Sequence, residues 1–434
     1  MKAEIRKRIE AIKRGEVPSG YSIHFGMSPE TWKRYRLSEI CEKVTKKNIG
    51  NSVKTVLTNS AADGVILQSK YFEKNIVNEE NTETYFIVEN KDFIYNPRIS
   101  SNATYGPISS NELGIRGIVS PLYTVFRQTD TKNVTYEYLK YFFASSQWHE
   151  YIYSIGNYGV RFDRINILDD DFFNMPIIIP PVADQKRIVE FVSHCEKVIK
   201  LKEDLLAEKR KLKKWLLENL LNPNSGVRLP GFRGKWEETN LLSCSKNNGR
   251  YGVNASACSY KKGLPKYIRI TDIDDNGHFS SENEAYVDSP DAKNYFLQTG
   301  DLLFVRTGGT VGKTYLYNKN DGKLVYAGYL IKYSLNDQIC TPSFIKEIFN
   351  TSVYWKWVTT MSSRSGQPGI NAEEYSSFSF FLPSLKEQEA IANILSQVDS
   401  EINLLDKELT EWCIMKKALM QVLLTGIVRV EKQR

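Results

Sequence analysis

The sequence predicts an α+β fold made by internal duplication: two mixed α/β domains separated by two long helices that pair with each other. Three observations predict it. First, "PPVADQKRIVEFVSHCEKVIKLKEDLLAEKRKLKKWLLENLL" (180–221) matches "PSLKEQEAIANILSQVDSEINLLDKELTEWCIMKKALMQVLL" (383–424) without a gap, at an offset of 203 that pairs Pro180 with Pro383 and Gln185 with Gln388. Trp32 pairs with Trp236 at an offset of 204, and "ILDDDFFNMPIIIPP" (167–181) resembles "INAEEYSSFSFFLPS" (370–384). A period this long makes the chain two copies of one unit: variable block, helix, variable block, helix.

Second, the matched segments carry a heptad seam. In the later copy Ile391, Leu395, Val398, Ile402, Leu405, Leu409, Trp412, Lys416, Leu419 and Leu423 alternate spacings of four and three, the signature of a coiled-coil face. The same register in the earlier copy gives Ile188, Val192, Cys195, Ile199, Lys202, Leu206, Lys209, Lys213, Leu216 and Leu220. Three lysines interrupt that seam, so it gains most by packing against the more apolar copy. Third, the seam runs 33 residues from Ile391 to Leu423, about 50 Å at 1.5 Å per residue. A small domain rarely covers so long a face. Two amphipathic helices packed separately on their own domains are the competing arrangement.

Taken in order, residues 1–30 form a charged N-terminal helical segment, "MKAEIRKRIEAIKRGEVP", without the apolar centre of a secretion signal. Residues 31–179 are the first mixed block, aromatic and β-branched with many turns. Pro180 and Pro181 stop its last strand and permit a helix to start, opening a helical spacer over 180–228. "NPNSG" (222–226) ends that helix. The second block covers 229–382, and Pro383 opens the C-terminal helical spacer, 383–434. No run approaches the 18 or more apolar residues of a membrane span, so a cytoplasmic location without membrane contact is expected.

Across 434 residues, 41% are apolar and 25% charged, as in ordinary globular proteins. The formal net charge of +7 favours a polyanionic partner without demanding one. Six cysteines stand without a C-x-x-C pair beside only four histidines, which removes zinc spacing and, in so long a chain, a disulfide framework. His194 and Cys195 are neighbours on a predicted helix and do not face each other; a buried Cys beside a surface His is expected, not a nucleophile and base.

"RTGGTVGKT" (306–314) superficially suggests a phosphate-binding loop. That pattern needs glycine five places before the glycine of Gly-Lys-Thr, and Thr307 stands there. It also needs a helix after the loop. "YLYNKNDGKLVYAGYLIKYSL" instead predicts strand, turn and strand.

These features resemble the specificity subunit of type I restriction-modification systems. The resemblance covers essentially the whole chain and rests on the duplication together with an ordered set of motifs. These are the helix starts Pro180 to Gln185 and Pro383 to Gln388, "LPGFRGKW" (229–236), "YIRITDI" (267–273), "GDLLFVRTGGTVGK" (300–313), "YNPRIS" (95–100) and "GIVSPLYTVFR" (117–127). It implies two target-recognition domains, each reading half of a split double-stranded DNA target. It also implies an antiparallel coiled coil that spaces them and docks two methyltransferase subunits, with restriction subunits joining through those. Methylation and ATP-driven cleavage would belong to these partners, which would hold S-adenosylmethionine, ATP and Mg; no cofactor or metal is expected on this chain.

The residues agree with a non-catalytic role. The nearest approach to a methyltransferase tetrapeptide is Asn96-Pro97-Arg98-Ile99, which lacks the second proline and the stacking aromatic. In the 306–313 loop, glycines Gly308 and Gly309 allow close backbone approach to DNA. Arg306 and Lys313 supply charge to phosphates, and Thr307 and Thr310 offer hydroxyls; a tight structural turn is the alternative. Further DNA-contacting candidates are Arg98, Arg116, Arg161 and Arg164 in the first block and Arg269 and Arg364 in the second, since arginine reads guanine edges bidentately. The first block has "KDFIYNPRISSNATYG" where the second has "GDLLFVRTGGTVGK", so an asymmetric target is expected. Two rival classes are an enzyme with its own nuclease or methyltransferase site and a stand-alone coiled-coil DNA-binding or scaffold protein.

Overall fold

A computed structural model describes residues 3–23, 27–71, 82–157, 163–363 and 368–429. The labelled elements, in chain order, are helix α1 (Ala3–Lys13), strands β1 (Lys33–Arg36), β2 (Cys41–Lys43), β3 (Phe93–Tyr95), β4 (Ile108–Ser110) and β5 (Thr124–Gln128), helix α2 (Tyr136–Phe143), strand β6 (Pro176–Ile179) and helix α3 (Val182–Leu220). The second copy continues with β7 (Glu237–Asn240), β8 (Arg250–Tyr251), β9 (Asp301–Val305), β10 (Thr314–Leu316), β11 (Leu330–Ser334), helix α4 (Pro342–Ile348), β12 (Ser379–Leu382) and helix α5 (Leu385–Leu424). The chain divides into two compact units, one of residues 1–201 with 408–434 and the other of residues 202–407.

In the first unit an antiparallel sheet has the order β2-β5-β3-β4, with Thr124 opposite Tyr95 and Phe126 opposite Phe93. β1 pairs with β6, Lys33 opposite Ile179, so the block is stitched closed where its chain enters and leaves. Its core is aromatic: Phe93 stacks on Phe126 at 5.4 Å between centroids and Tyr95 on Phe172 at 5.1 Å. Trp148 is fully buried in the same cluster and donates its indole N–H to the Phe143 carbonyl at 3.0 Å. Truncating such a residue typically costs about 3–5 kcal/mol. Ile188 and Val192 of α3 join this cluster together with Met420, Leu423 and Leu424 of α5. Here α3 and α5 run antiparallel, with Lys416 bonded to Glu196 at 3.3 Å.

The second unit repeats the plan: sheet order β8-β11-β9-β10, closure of β7 on β12 with Glu237 opposite Leu382, and an aromatic core around Phe304, Phe349 and Tyr354. Leu217 and Leu220 of α3 enter that core with Ile391 and Leu395 of α5. Again the helices are antiparallel, and the seam lysines find acids across it: Lys209 to Glu401 at 2.5 Å and Lys213 to Asp399 at 2.6 Å. Long lysine stems cover apolar surface while their charge is paired at the edge.

The seam positions fall on the inner faces of both helices. Ile188, Val192, Cys195, Ile199, Leu206, Leu220, Ile391, Leu395, Val398 and Leu423 are buried; Ile402, Leu405, Leu409, Trp412 and Leu419 are half-buried. Near the end of α3 the register drifts by one place, leaving Leu216 half-buried and Leu217 buried, as a helix turning every 3.6 residues drifts against a 3.5 repeat. Cys195 is buried while its neighbour His194 faces solvent.

The glutamines at the two helix starts are equivalent in every partner. Gln185, wholly buried, accepts the Thr135 amide at 2.8 Å and donates to the Asn133 and Pro180 carbonyls at 2.7 and 2.8 Å. Gln388 accepts the Thr341 amide at 2.8 Å and donates to the Ile339 and Pro383 carbonyls at 3.5 and 2.9 Å. Thr135 and Thr341 are the N-caps of α2 and α4, so each glutamine fastens a long helix to the first turn of a helix in its own block.

Candidate nucleic-acid interface

Each sheet has a buried aspartate at the start of its central hairpin. Asp92 receives the Glu89 amide at 2.8 Å and is held bidentately by Arg127 at 2.6 and 2.8 Å. Asp301 receives the Gln298 amide at 2.9 Å and is bonded by Lys332 at 3.0 Å and Ser334 at 2.6 Å. The residue before each aspartate has positive φ, 69° at Lys91 and 89° at Gly300. These matching turns make β3–β4 and β9–β10 equivalent hairpins, so Arg98 and Arg306 both lie just beyond the end of the same strand.

In the first unit Arg98 bridges Arg164 through the backbone, and neither guanidinium forms an ion pair with a described residue. Arg98 lines a cleft of about 490 Å³ with Asn59, Gln68, Tyr85, Asn96 and Tyr123. The cleft wall is fixed by internal bonds: Asn96 donates to the Asn59 carbonyl at 2.9 Å and accepts the Arg98 amide at 3.1 Å. Asn59 donates to Ile94 at 2.7 Å and leaves its own buried side-chain oxygen without a partner among the described residues. Arg116 instead pairs with Glu89 at 2.7 Å, and that bond holds the Glu89 carboxyl below its ordinary range. Arg161 lies outside the described residues.

In the second unit the 306–313 loop joins two antiparallel strands, Phe304 opposite Thr314. The strand and turn expected after the loop are β10 and a turn at Lys319–Asp321, followed by strands Leu324–Tyr326 and β11. Gly308 and Gly312 have φ of 85° and 93°, where a side chain is strained. A Cβ on Gly312 would also meet Val358 at 2.7 Å. Gly309 needs no such freedom, and a Cβ there would meet nothing within 4 Å. Thr307 donates its hydroxyl to the Pro368 carbonyl at 3.2 Å, and the Thr310 carbonyl accepts the Lys313 amide at 3.2 Å.

The cations of this unit divide by partner. Lys313 is bonded to Asp275 at 2.6 Å. Arg269 grips Asp272 through both carboxylate oxygens at 2.9 and 2.7 Å, which closes the turn at Ile270–Asp272. Arg306 forms no ion pair with a described residue; its guanidinium lies over the Tyr251 ring, 4.8 Å from the centroid. Arg306 and Arg269 line one cleft of about 820 Å³ with Tyr251, Asn254, Ser256 and Tyr329. Arg364 lies outside the described residues. The arginines were legible as charges; Asn96 and Tyr123 stood inside quoted motifs without a role, and Tyr251 carried no signal, because their places depend on strand pairing across the chain.

Comparison with known proteins agrees with this geometry. The family model of the type I restriction modification DNA specificity domain matches residues 29–208 and 234–411. The type I restriction enzyme StySPI specificity subunit of Salmonella potsdam is 25% identical over 316 residues, 69% of this chain. The chain spans just under two thirds, 66%, of that relative's length. The MjaVIII specificity subunit of Methanocaldococcus jannaschii is 21% identical over 93% of this chain and 94% of its own. A chain from a solved type I R-M system, studied for complex assembly and conformational transition, shares the fold. Its TM-score is 0.59 at 17% identity, over 92% of this chain and 99% of that one. Two matched copies of that domain fill most of the sequence, and the chain belongs to the type I restriction modification DNA specificity family.

Proposed function

We propose that the chain is the DNA sequence-recognition subunit of a type I restriction-modification complex, reading an asymmetric, two-part double-stranded target. One observation carries the reading: equivalent hairpins in the two blocks end at clefts with different linings. The first offers Gln68, Tyr85, Arg98 and Tyr123 over a wall fixed by Asn59 and Asn96, the second Arg306, Asn254 and Ser256. One scaffold with two sets of polar groups reads two different half-sites. Arg98, Arg164, Arg306, Thr307, Gly309 and Thr310 are the proposed DNA-facing set; Arg116, Arg269 and Lys313 hold the framework through their carboxylates.

Two copies of a methyltransferase subunit dock on the long helices, and restriction subunits join through them. Apolar side chains on the outer helix faces support two sites. In the first unit Leu201 and Met415 are 68% and 40% exposed; in the second, Leu404 and Leu212 are 59% and 41% exposed. The duplication places Leu201 equivalent to Leu404 and Leu212 to Met415, so each unit offers the same pair. S-adenosylmethionine, ATP and Mg belong on the partners, and the chain itself catalyses nothing. No described helix is long and apolar enough to cross a membrane. The test is co-expression with a methyltransferase subunit followed by mapping of modified adenines. A single asymmetric two-part motif is expected. Methylation by the isolated chain, or an identical motif without it, would sink the reading.

A further inference from the structure

We infer that Arg306 reads a guanine edge in the half-site of the second block, and that Tyr251 is the positioning residue that holds it ready. The inference rests on the DNA-recognition reading and goes further, to one residue and one base. A guanine presents two acceptors, O6 and N7, side by side in the major groove, and no other base does. Two parallel N–H groups of a guanidinium match that pair only if its plane is held. The guanidinium lies over the Tyr251 ring, 4.8 Å from its carbon to the ring centroid, a cation–π contact that limits where the group can go.

The main chain beneath is equally fixed. The Arg306 amide donates to Tyr329 at 3.1 Å, its carbonyl accepts the Ile370 amide at 2.8 Å, and the Val305 carbonyl accepts the Tyr375 hydroxyl at 2.8 Å. Tyr251 is anchored too, its hydroxyl accepting the Ala372 amide at 3.2 Å. The cleft depends on close backbone packing: a Cβ on Gly252 would lie 2.3 Å from the Tyr326 and Ala327 carbonyl oxygens.

Competing donors are spent. Arg269, in the same cleft, has both Asp272 oxygens, and Lys313, in the same loop, has Asp275. Arg306 faces no such competitor among the described residues, so binding a base breaks no ion pair. A phosphate contact would need charge alone; the contact with Tyr251 and the polar cleft around it favour an edge-reading role.

The experiment uses the full chain assembled with its methyltransferase subunits, comparing methylated motifs and duplex binding for wild type, Arg306→Ala, Arg306→Gln, Tyr251→Ala and Tyr251→Phe. Arg306→Ala should relax one guanine position of one half-site, lowering discrimination there roughly 5- to 150-fold, with the other half-site unchanged. Arg306→Gln should move that position toward adenine. Tyr251→Ala should relax the same position less, and Tyr251→Phe, which keeps the ring, should restore it. A uniform loss of affinity across sequences, with the salt slope reduced by about one, makes Arg306 a phosphate contact and overturns the inference. So does an unchanged motif, or relaxation at a base other than guanine. Absence of any two-part motif from the wild-type complex would overturn the recognition reading itself.

Discussion

Lys313 and Asp275 form an ion pair at 2.6 Å, although Asp275 is otherwise almost wholly exposed. The bond holds the Asp275 carboxyl below its ordinary range. A lysine already neutralised in this way displaces few counterions from DNA. Lys313→Ala should therefore leave the salt slope of binding by the complex unchanged, measured from 50 to 200 mM salt. A fall of about one unit would mean the ammonium leaves Asp275 for a phosphate.

The buried glutamines set a second expectation. Gln185→Leu strips partners from the Thr135 amide and from the Asn133 and Pro180 carbonyls, at about 1–3 kcal/mol per buried group left unsatisfied. Chemical denaturation should show a loss of several kcal/mol, and Gln388→Leu should behave alike. Loss under 1 kcal/mol in either variant would show that water replaces the side chain.

The outer helix faces predict stoichiometry. Leu212→Glu with Leu404→Glu alters only the second unit's patch and should reduce bound methyltransferase from two copies to one by native mass spectrometry. Leu201→Glu with Met415→Glu should remove the other copy. Retention of both copies by each double variant would place docking elsewhere.

Acid should weaken the first unit through His149. Its ring packs against Tyr105 at 5.0 Å and Trp148 at 4.5 Å, and burial lowers its pKa from the ordinary 6.5. The unfolded chain therefore binds this proton first. Stability is full above about pH 6.5 and falls as pH drops through that value toward the lower folded pKa. His149→Gln should flatten this part of the stability profile; an equally steep profile in the variant would assign the dependence to other groups.

The duplication and the helical seam were legible because both are periodic, and periodicity survives in one dimension. The lysines at 209 and 213 read as interruptions, since their acids, Glu401 and Asp399, stand on the other long helix, nearly two hundred residues away. A shorter separation, 55 residues between Tyr251 and Arg306, hid the cleft in the same way. Arg306 was visible as a charge after an apolar strand, whereas Tyr251 becomes its neighbour only when β8 and β9 share the sheet through β11. For Arg269 the partner was three residues on, in "RITD", yet which carboxylates an arginine holds depends on a turn geometry that residue types alone do not specify.

The latches at Gln185 and Gln388 have an evolutionary consequence. All their partners are main-chain atoms, and every non-proline residue supplies the same amide and carbonyl. The hydrogen bonds of the latch are therefore blind to the side chains of the block it fastens, and only the apolar contacts of the long helices with the block core read them. A gene exchange that brings in a whole block with a matching turn, helix start and apolar face would meet the same latch, so such an exchange would not first have to rebuild this part of the frame.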